Sequence, residues 1–218
     1  MSTALLQTTY FGPVQWYQKL HRYDHILIEQ YDSYQKQTYR NRCVIATANG
    51  LQSLTVPVEH NYQLSILNSQ LVKDLRISDH NQWRRIHWNA LQSAYSESPF
   101  FEYYADDIRP FFEKKYDFLV DFNEAIRQTM CELLDIHPHV DYTQEFIPAD
   151  ESILSPLPSH PSPLTDFRSV IHAKHPQPDA DFEAKRYWQV FQHKHGFLPN
   201  LSILDLLFCM GPESVFYL

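Results

Sequence analysis

Glycine is scarce in this chain, with four residues in 218, at positions 12, 50, 196 and 211. They are too dispersed for a Gly-x-Gly-x-x-Gly fingerprint or a Walker loop, so any bound phosphate must be held by side chains or a helix N-terminus. No Gly-x-Ser-x-Gly elbow is present either. Cysteine is equally rare. Cys43, Cys131 and Cys209 are odd in number, far apart and never in Cys-x-x-Cys spacing, which excludes a disulfide framework and a thiolate zinc site and fits a reducing cytoplasm. Long apolar runs are missing: the best one, residues 203–210, is broken by Asp205. The opening Met1-Ser2-Thr3-Ala4 lacks the basic region and apolar run of a signal peptide. A cytoplasmic chain without membrane insertion is expected. A basic excess is absent too, and the formal charge of −8 disfavours a general nucleic-acid binder.

What is present is ample apolar content, 44% of residues with 15% aromatic, enough for one large core. Residues 5–10 read as a strand, 14–23 as a helix begun after Gly12-Pro13, and 25–29 as a second strand. Residues 42–47 and 52–58 read as a hairpin about Ala48-Asn49-Gly50, since Asn-Gly supplies the positive φ of a tight turn. From Trp83 the period becomes helical, with Trp83, Ile86, His87, Ala90, Leu91, Ala94 and Tyr95 on one stripe. Ser98-Pro99 reads as a helix cap, and Asp121 with Glu124 as a capping-box analogue. Seven of the fourteen prolines fall between residues 148 and 178, which reads as a long loop. A last helix is stopped by Gly211-Pro212, with Ser202 and Asp205 in capping-box spacing. The expected fold is mixed α/β (α+β) in a single domain, 1–218. It has a sheet-rich part (1–80), a helical part (81–137), a proline-rich loop (148–178) and a C-terminal helical segment (183–218) docking back.

Charge is unevenly spread. Between positions 36 and 85, Lys36, Arg40, Arg42, Lys73, Arg76, Arg84 and Arg85 face only Glu59, Asp74 and Asp79, a net +4 that leaves −12 for the rest. A positive island in an acidic protein points to a small anionic ligand. In Tyr39-Arg40-Asn41-Arg42, strand alternation would put Arg40 and Arg42 on one face, where two guanidiniums can grip an anion. The competing reading is a structural network with Glu29, Asp32 or Asp74. His87, one turn after Arg84, is a candidate base at a pocket mouth or a core histidine with both nitrogens satisfied. Cys43 as a nucleophile is disfavoured, because a lone strand cysteine usually behaves as a small buried hydrophobe. His137-x-His139-x-Asp141 aligns three possible ligands, but Pro138 disturbs the strand and chance His pairs are common among twelve histidines. The expectation is no metal and no cofactor.

Several stretches together resemble the WbqC-like proteins over nearly the whole chain. They are Tyr10-Phe11-Gly12-Pro13 with Tyr17, Lys19 and Leu20; Tyr39-Arg40-Asn41-Arg42; Leu54-Thr55-Val56-Pro57-Val58; Lys73-Asp74 with Arg76; and Trp83-Arg84-Arg85 with His87. Ser98-Pro99-Phe100-Phe101 and Pro199-Asn200-Leu201-Ser202 with Asp205 extend the match. The resemblance implies a role in O-antigen (lipopolysaccharide) or other surface-polysaccharide clusters, with transfer of glycine to a sugar suggested for the family. This chain departs from the family pattern, where the first strand ends His-Gln-Pro-Asn-Tyr and the second in paired acids. Here the corresponding residues are Leu6-Gln7-Thr8-Thr9-Tyr10 and Gln30-Tyr31, so this branch either lacks the chemistry of those groups or draws it from Glu29, Asp32 or His87.

The leading expectation is a transferase passing an aminoacyl group to a nucleotide-linked amino sugar. Its ligand is a nucleotide sugar or activated amino acid, and a protein partner from glycan biosynthesis is possible. Lys36, Arg40, Arg42, Arg76 and Arg84 would bind phosphate or carboxylate, Tyr10 and Asn41 would orient the acceptor, Tyr39 would stack a base or a sugar, and His87 would be the base. The alternative is a non-catalytic anion-binding or scaffold protein. Nucleic acid is not an expected partner.

Overall fold

The computed structural model describes residues 2–59, 70–149 and 164–218. β1 (Thr3–Gln7) leads through a tight loop to α1 (Val14–Arg22) and then to β2 (His25–Glu29). β3 (Arg42–Thr47) and β4 (Gly50–Thr55) form a separate antiparallel hairpin. Four helices follow: α2 (Trp83–Tyr95), α3 (Phe101–Ile108), α4 (Pro110–Glu113) and α5 (Leu119–Leu133). Two short strands, β5 (Val140–Tyr142) and β6 (Leu164–Asp166), precede α6 (Gln192–His195), α7 (Ile203–Met210) and a final 3-10 turn, Gly211–Tyr217. No helix among the described residues is long and apolar enough to cross a membrane.

The main sheet is parallel throughout, in the order β5-β2-β1-β6. Covered on both faces, its central strands read as continuous apolar runs rather than alternating ones. Ala4, Leu6, Ile26 and Ile28 enter the main core, whereas Leu5 and Leu27 pack with Ile147 on the opposite face. α1 makes the crossover between β1 and β2, burying Trp16, Tyr17 and Leu20, each of which contributes about 1.5–3 kcal/mol by leaving water. Trp16 Nε1 donates to the Gln7 carbonyl at 2.9 Å, which ties the helix to the strand before it. The intervening loop turns sharply, with Phe11 at φ 40°. A Cβ at Gly12 would lie 2.5 Å from Thr9 Oγ1, so only glycine fits there.

The C-terminal segment docks as expected. Val14 N–H donates to Leu201 O at 3.0 Å, Ile203 N–H to Gly12 O at 2.9 Å and Ser202 N–H to Val44 O at 2.8 Å, wedging the start of α7 between the first loop and the hairpin. The Ser202 hydroxyl accepts from Leu204 N–H as the cap of α7.

Several local expectations are corrected. α3 and α5 open at Phe101 and Leu119, without side-chain caps. Ser98 Oγ instead donates back to Tyr95 O at 2.6 Å. Asp205 faces the core rather than completing a capping box, with Tyr95 Oη on one oxygen and Tyr187 Oη on the other. In the hairpin only Gly50 takes a positive φ, 105°. The proline-rich stretch contains a strand: β6 pairs with β1 from Thr3↔Leu164 to Leu5↔Asp166. Residues 150–163 of that stretch lie outside the described residues.

Candidate functional site at the carboxyl edge of the parallel sheet

The chain runs β1, β2, β5 in one direction across the sheet and then places β6 on the far side of β1. This reversal creates a switch point, and in open parallel sheets ligands settle beyond the carboxyl ends of the strands at such a point. A cavity of about 380 Å³ lies there, lined by residues that follow β2 (Asp32, Gln35, Arg40), β5 (Phe146, Ala149) and β6 (Arg168, Ser169, His172), together with Asp166 at the end of β6, and by His175 and Gln177. That volume falls within the usual range for small-molecule sites.

Charge at this edge is organised around Glu29, the last residue of β2, which is fully buried. Glu29 Oε1 accepts from Tyr31 N–H at 2.7 Å and Thr143 Oγ1 at 2.9 Å, and its Oε2 from Ile147 N–H at 3.0 Å and Arg168 Nη1 at 3.3 Å. With both oxygens engaged, it serves as an anchor joining the ends of β2, β5 and β6. Arg168 also grips Asp166 with two nitrogens, Nε at 3.0 Å from Oδ1 and Nη2 at 2.6 Å from Oδ2. This is the planar fork that guanidinium makes with carboxylate.

Asp32 and Arg40 form the second charged pair, through Oδ2 and Nη2. Both are more than nine-tenths buried, yet Asp32 Oδ1 and Arg40 Nε have no hydrogen-bond partner among the described residues. A buried donor and acceptor left open beside a cavity are costly unless a ligand or solvent completes them. Burial pushes the Asp32 carboxyl above its ordinary range and the Glu29 charge adds to this, against the pull of Arg40 and Arg168. His172 is pushed down by burial, His175 and Arg40. Its Nδ1 accepts from the N–H groups of Lys174 at 3.1 Å and His175 at 3.0 Å, so the neutral ring carries its proton on Nε2 and is a donor.

Of the residues singled out from the sequence, Asp32 and Arg40 line this cavity, and Arg40 is the one of the basic residues that does. Backbone contacts around it explain its placement. Tyr39 O accepts from Tyr10 N–H at 2.9 Å, Arg40 O from Asn123 Nδ2 at 2.8 Å, and Asn41 exchanges bonds with Val56 at 2.8 Å in each direction. Asn41 and the largely buried Tyr39 ring are thereby held in the packing. Arg40 precedes β3 rather than belonging to it, so the alternation that would pair it with Arg42 does not begin until Arg42. Arg42 turns to Thr55 Oγ1 at 3.2 Å on the hairpin.

The candidate residues on α2, Arg84 and His87, do not line this cavity. His87 is 4% exposed and its Nδ1 lies 2.9 Å from Tyr10 Oη, while its ring has a hydrogen bond to the Thr55 backbone. Burial lowers its pKa to about 4, which leaves a neutral core histidine with both nitrogens used. Tyr10 is wholly buried against it. Arg84 pairs with Asp79 and lies over Trp83, 4.5 Å from the ring centre. Arg76 lies over Phe118 at 4.6 Å, and Lys36 is exposed. Cys43 is fully buried and its thiol is pushed up to about 12, which removes it as a nucleophile.

Sequence reading missed Asp166, Arg168 and His172 as site residues. Their signal was a charged cluster straight after a strand, Asp166-Phe167-Arg168, but the strand is three residues long and hidden among prolines.

No solved structure matches this chain significantly. A Mycobacterium tuberculosis (strain H37Rv) protein described as uncharacterized, Rv1507c, is 27% identical over 227 residues, covering 99% of this chain and 96% of that protein. Two elements that carried the resemblance, Tyr10-Phe11-Gly12-Pro13 and Ser202 to Asp205, are packed against each other in the fold. Residues 7–217 match the WbqC-like protein family, and the chain belongs to it.

Proposed function

We propose that this protein is a transferase of surface-polysaccharide precursor synthesis, passing an aminoacyl group such as glycyl to a nucleotide-linked amino sugar in the carboxyl-edge cavity. The observation that carries this reading is the Asp32 and Arg40 pair, buried beside the cavity with an open acceptor on one side and an open donor on the other. Arg40, Arg168 and the His172 Nε2–H supply donors for phosphate or carboxylate. In the transfer, the amine nitrogen of the sugar attacks the carbonyl carbon of an activated amino acid. The C–N bond forms, the bond to the activating group breaks, and the amine proton passes to a base. Asp32 suits that role better than His87, because its raised pKa brings it nearer neutrality and its Oδ1 has room for a proton.

The test is a transfer assay with the full chain, nucleotide-linked amino sugars and activated glycine, alongside thermal-shift measurements with each ligand alone. The expected result is a raised unfolding midpoint with the nucleotide sugar and turnover that falls by about 100-fold or more in Asp32→Asn. Full turnover in Asp32→Asn removes that residue as the base. Ligand binding without turnover under any donor makes the protein a binding or scaffold component instead.

A further inference from the structure

The amino edge of the same sheet carries a second cluster of chemically capable side chains. His25 opens β2, His139 directly precedes β5, and Asp141 lies within β5. The parallel register Ile26↔Val140 and Leu27↔Asp141 sets His25 beside His139 across the two strands. Ile26 N–H donates to His139 O at 2.8 Å, which fixes that juxtaposition in the backbone ladder. The two imidazole rings lie 4.8 Å apart between centres, and His25 Nε2 is 2.8 Å from Asp141 Oδ2. One ligand atom from each of the three groups falls within 4.8 Å of the others.

We infer that His25, His139 and Asp141 form a divalent-cation site of the zinc type. Donor chemistry selects the ion: two imidazole nitrogens and one carboxylate oxygen suit zinc, cobalt or nickel, whereas magnesium and calcium favour all-oxygen shells. Ligand atoms about 2.0–2.2 Å from one ion sit roughly 3–3.5 Å from each other. The His25 and Asp141 atoms are already near that separation, and His139, which is exposed, has its ligand atom within 4.8 Å of both, so it is the His139 ring that must move in to close the set. The ion takes the place of the His25–Asp141 hydrogen bond. Strand alternation puts His139 and Asp141 on one face, but the third ligand comes from β2 and not from His137. His137 instead lies 3.4 Å from Asp135, both almost fully exposed. Bound there, the ion clasps the edge strand β5 to its neighbour and keeps at least one coordination position open to solvent.

Zinc titration of the metal-stripped full chain, by calorimetry and by thermal unfolding, tests the site. The expected result is one saturable zinc per chain and a raised midpoint, both weakened at least about ten-fold in His139→Ala and in Asp141→Ala. Both positions are exposed, so folding should survive the changes. His137→Ala should bind as the parent does, as should His175→Gln, which breaks another close histidine pair, His172 and His175 with rings 5.9 Å apart. Absence of saturable zinc up to about 100 µM overturns the inference, as does binding that survives His139→Ala or that is lost in His175→Gln.

Discussion

Asp205, in the first turn of the C-terminal helix α7, has Tyr95 Oη at 2.8 Å from one oxygen, and Tyr187 Oη at 2.7 Å and Gln189 Nε2 at 3.1 Å from the other. Asp32 lies at the carboxyl edge of the parallel sheet with one oxygen on Arg40 and the other without a partner among the described residues. Burial raises the pKa of both carboxyls. Asp205 is held by neutral donors on both oxygens as a structural post, whereas one oxygen of the cavity-lining Asp32 is without a partner among the described residues. Raised pKa alone therefore does not mark a functional carboxylate here. What separates Asp32 from Asp205 is an oxygen without a partner among the described residues, in a residue lining a cavity large enough for a ligand.

The comparison can be broken most forcefully at Asp205. Truncation in Asp205→Ala strands three buried donors and should cost about 3–5 kcal/mol in urea unfolding. A cost below 1 kcal/mol would remove its role as a post. Its titration gives a related measurement. The folded carboxyl is pushed up to about 6 by burial, above its ordinary 3.8. The folded state thus holds the proton more tightly than the unfolded one, so this residue's contribution is greatest below pH about 4 and is lost as pH rises to about 6. The swing is about 3 kcal/mol and should appear as the difference between the parent and Asp205→Asn.

At the other end of the comparison, Asp32→Asn should depress turnover about 100-fold, a barrier increase of about 3 kcal/mol, with the ligand-induced thermal shift retained. Tyr10→Phe should cost about 1–2 kcal/mol of stability by leaving His87 Nδ1 without its partner, and should leave turnover of the folded protein unchanged. The smallest effect belongs to Arg84→Gln, whose half-exposed pair with Asp79 contributes under about 1 kcal/mol. Loss of turnover in Arg84→Gln would move the reaction centre back to α2.

Legibility followed the range of the forces involved. β2 and the start of α1 fall where proline placement and apolar pattern put them, because both signals act within a few residues. Around Arg40, strand alternation would set Arg42 on the same face, but the strand starts only at Arg42, after Arg40. β5 and β6 have three residues each, too few for a periodic pattern, and they exist as strands because β2 and β1 offer them ladders. Arg168 and Asp166 came into the site with β6. His87 was read with both roles open, and only the packing of Tyr10 and Trp83 around it decided between them.

By itself the sequence determined the mixed α/β class, the docking C-terminal helix and the family. Each of these depends on local pattern or on residues close along the chain. The tertiary structure decided which charges meet. Glu29, Asp32, Arg40, Asp166 and Arg168 come from three separate stretches, and hydrogen bonding and burial between them arise only when the parallel strands align their carboxyl ends. Parallel pairing joins strands that are distant in sequence, so the site it creates cannot be read from spacing.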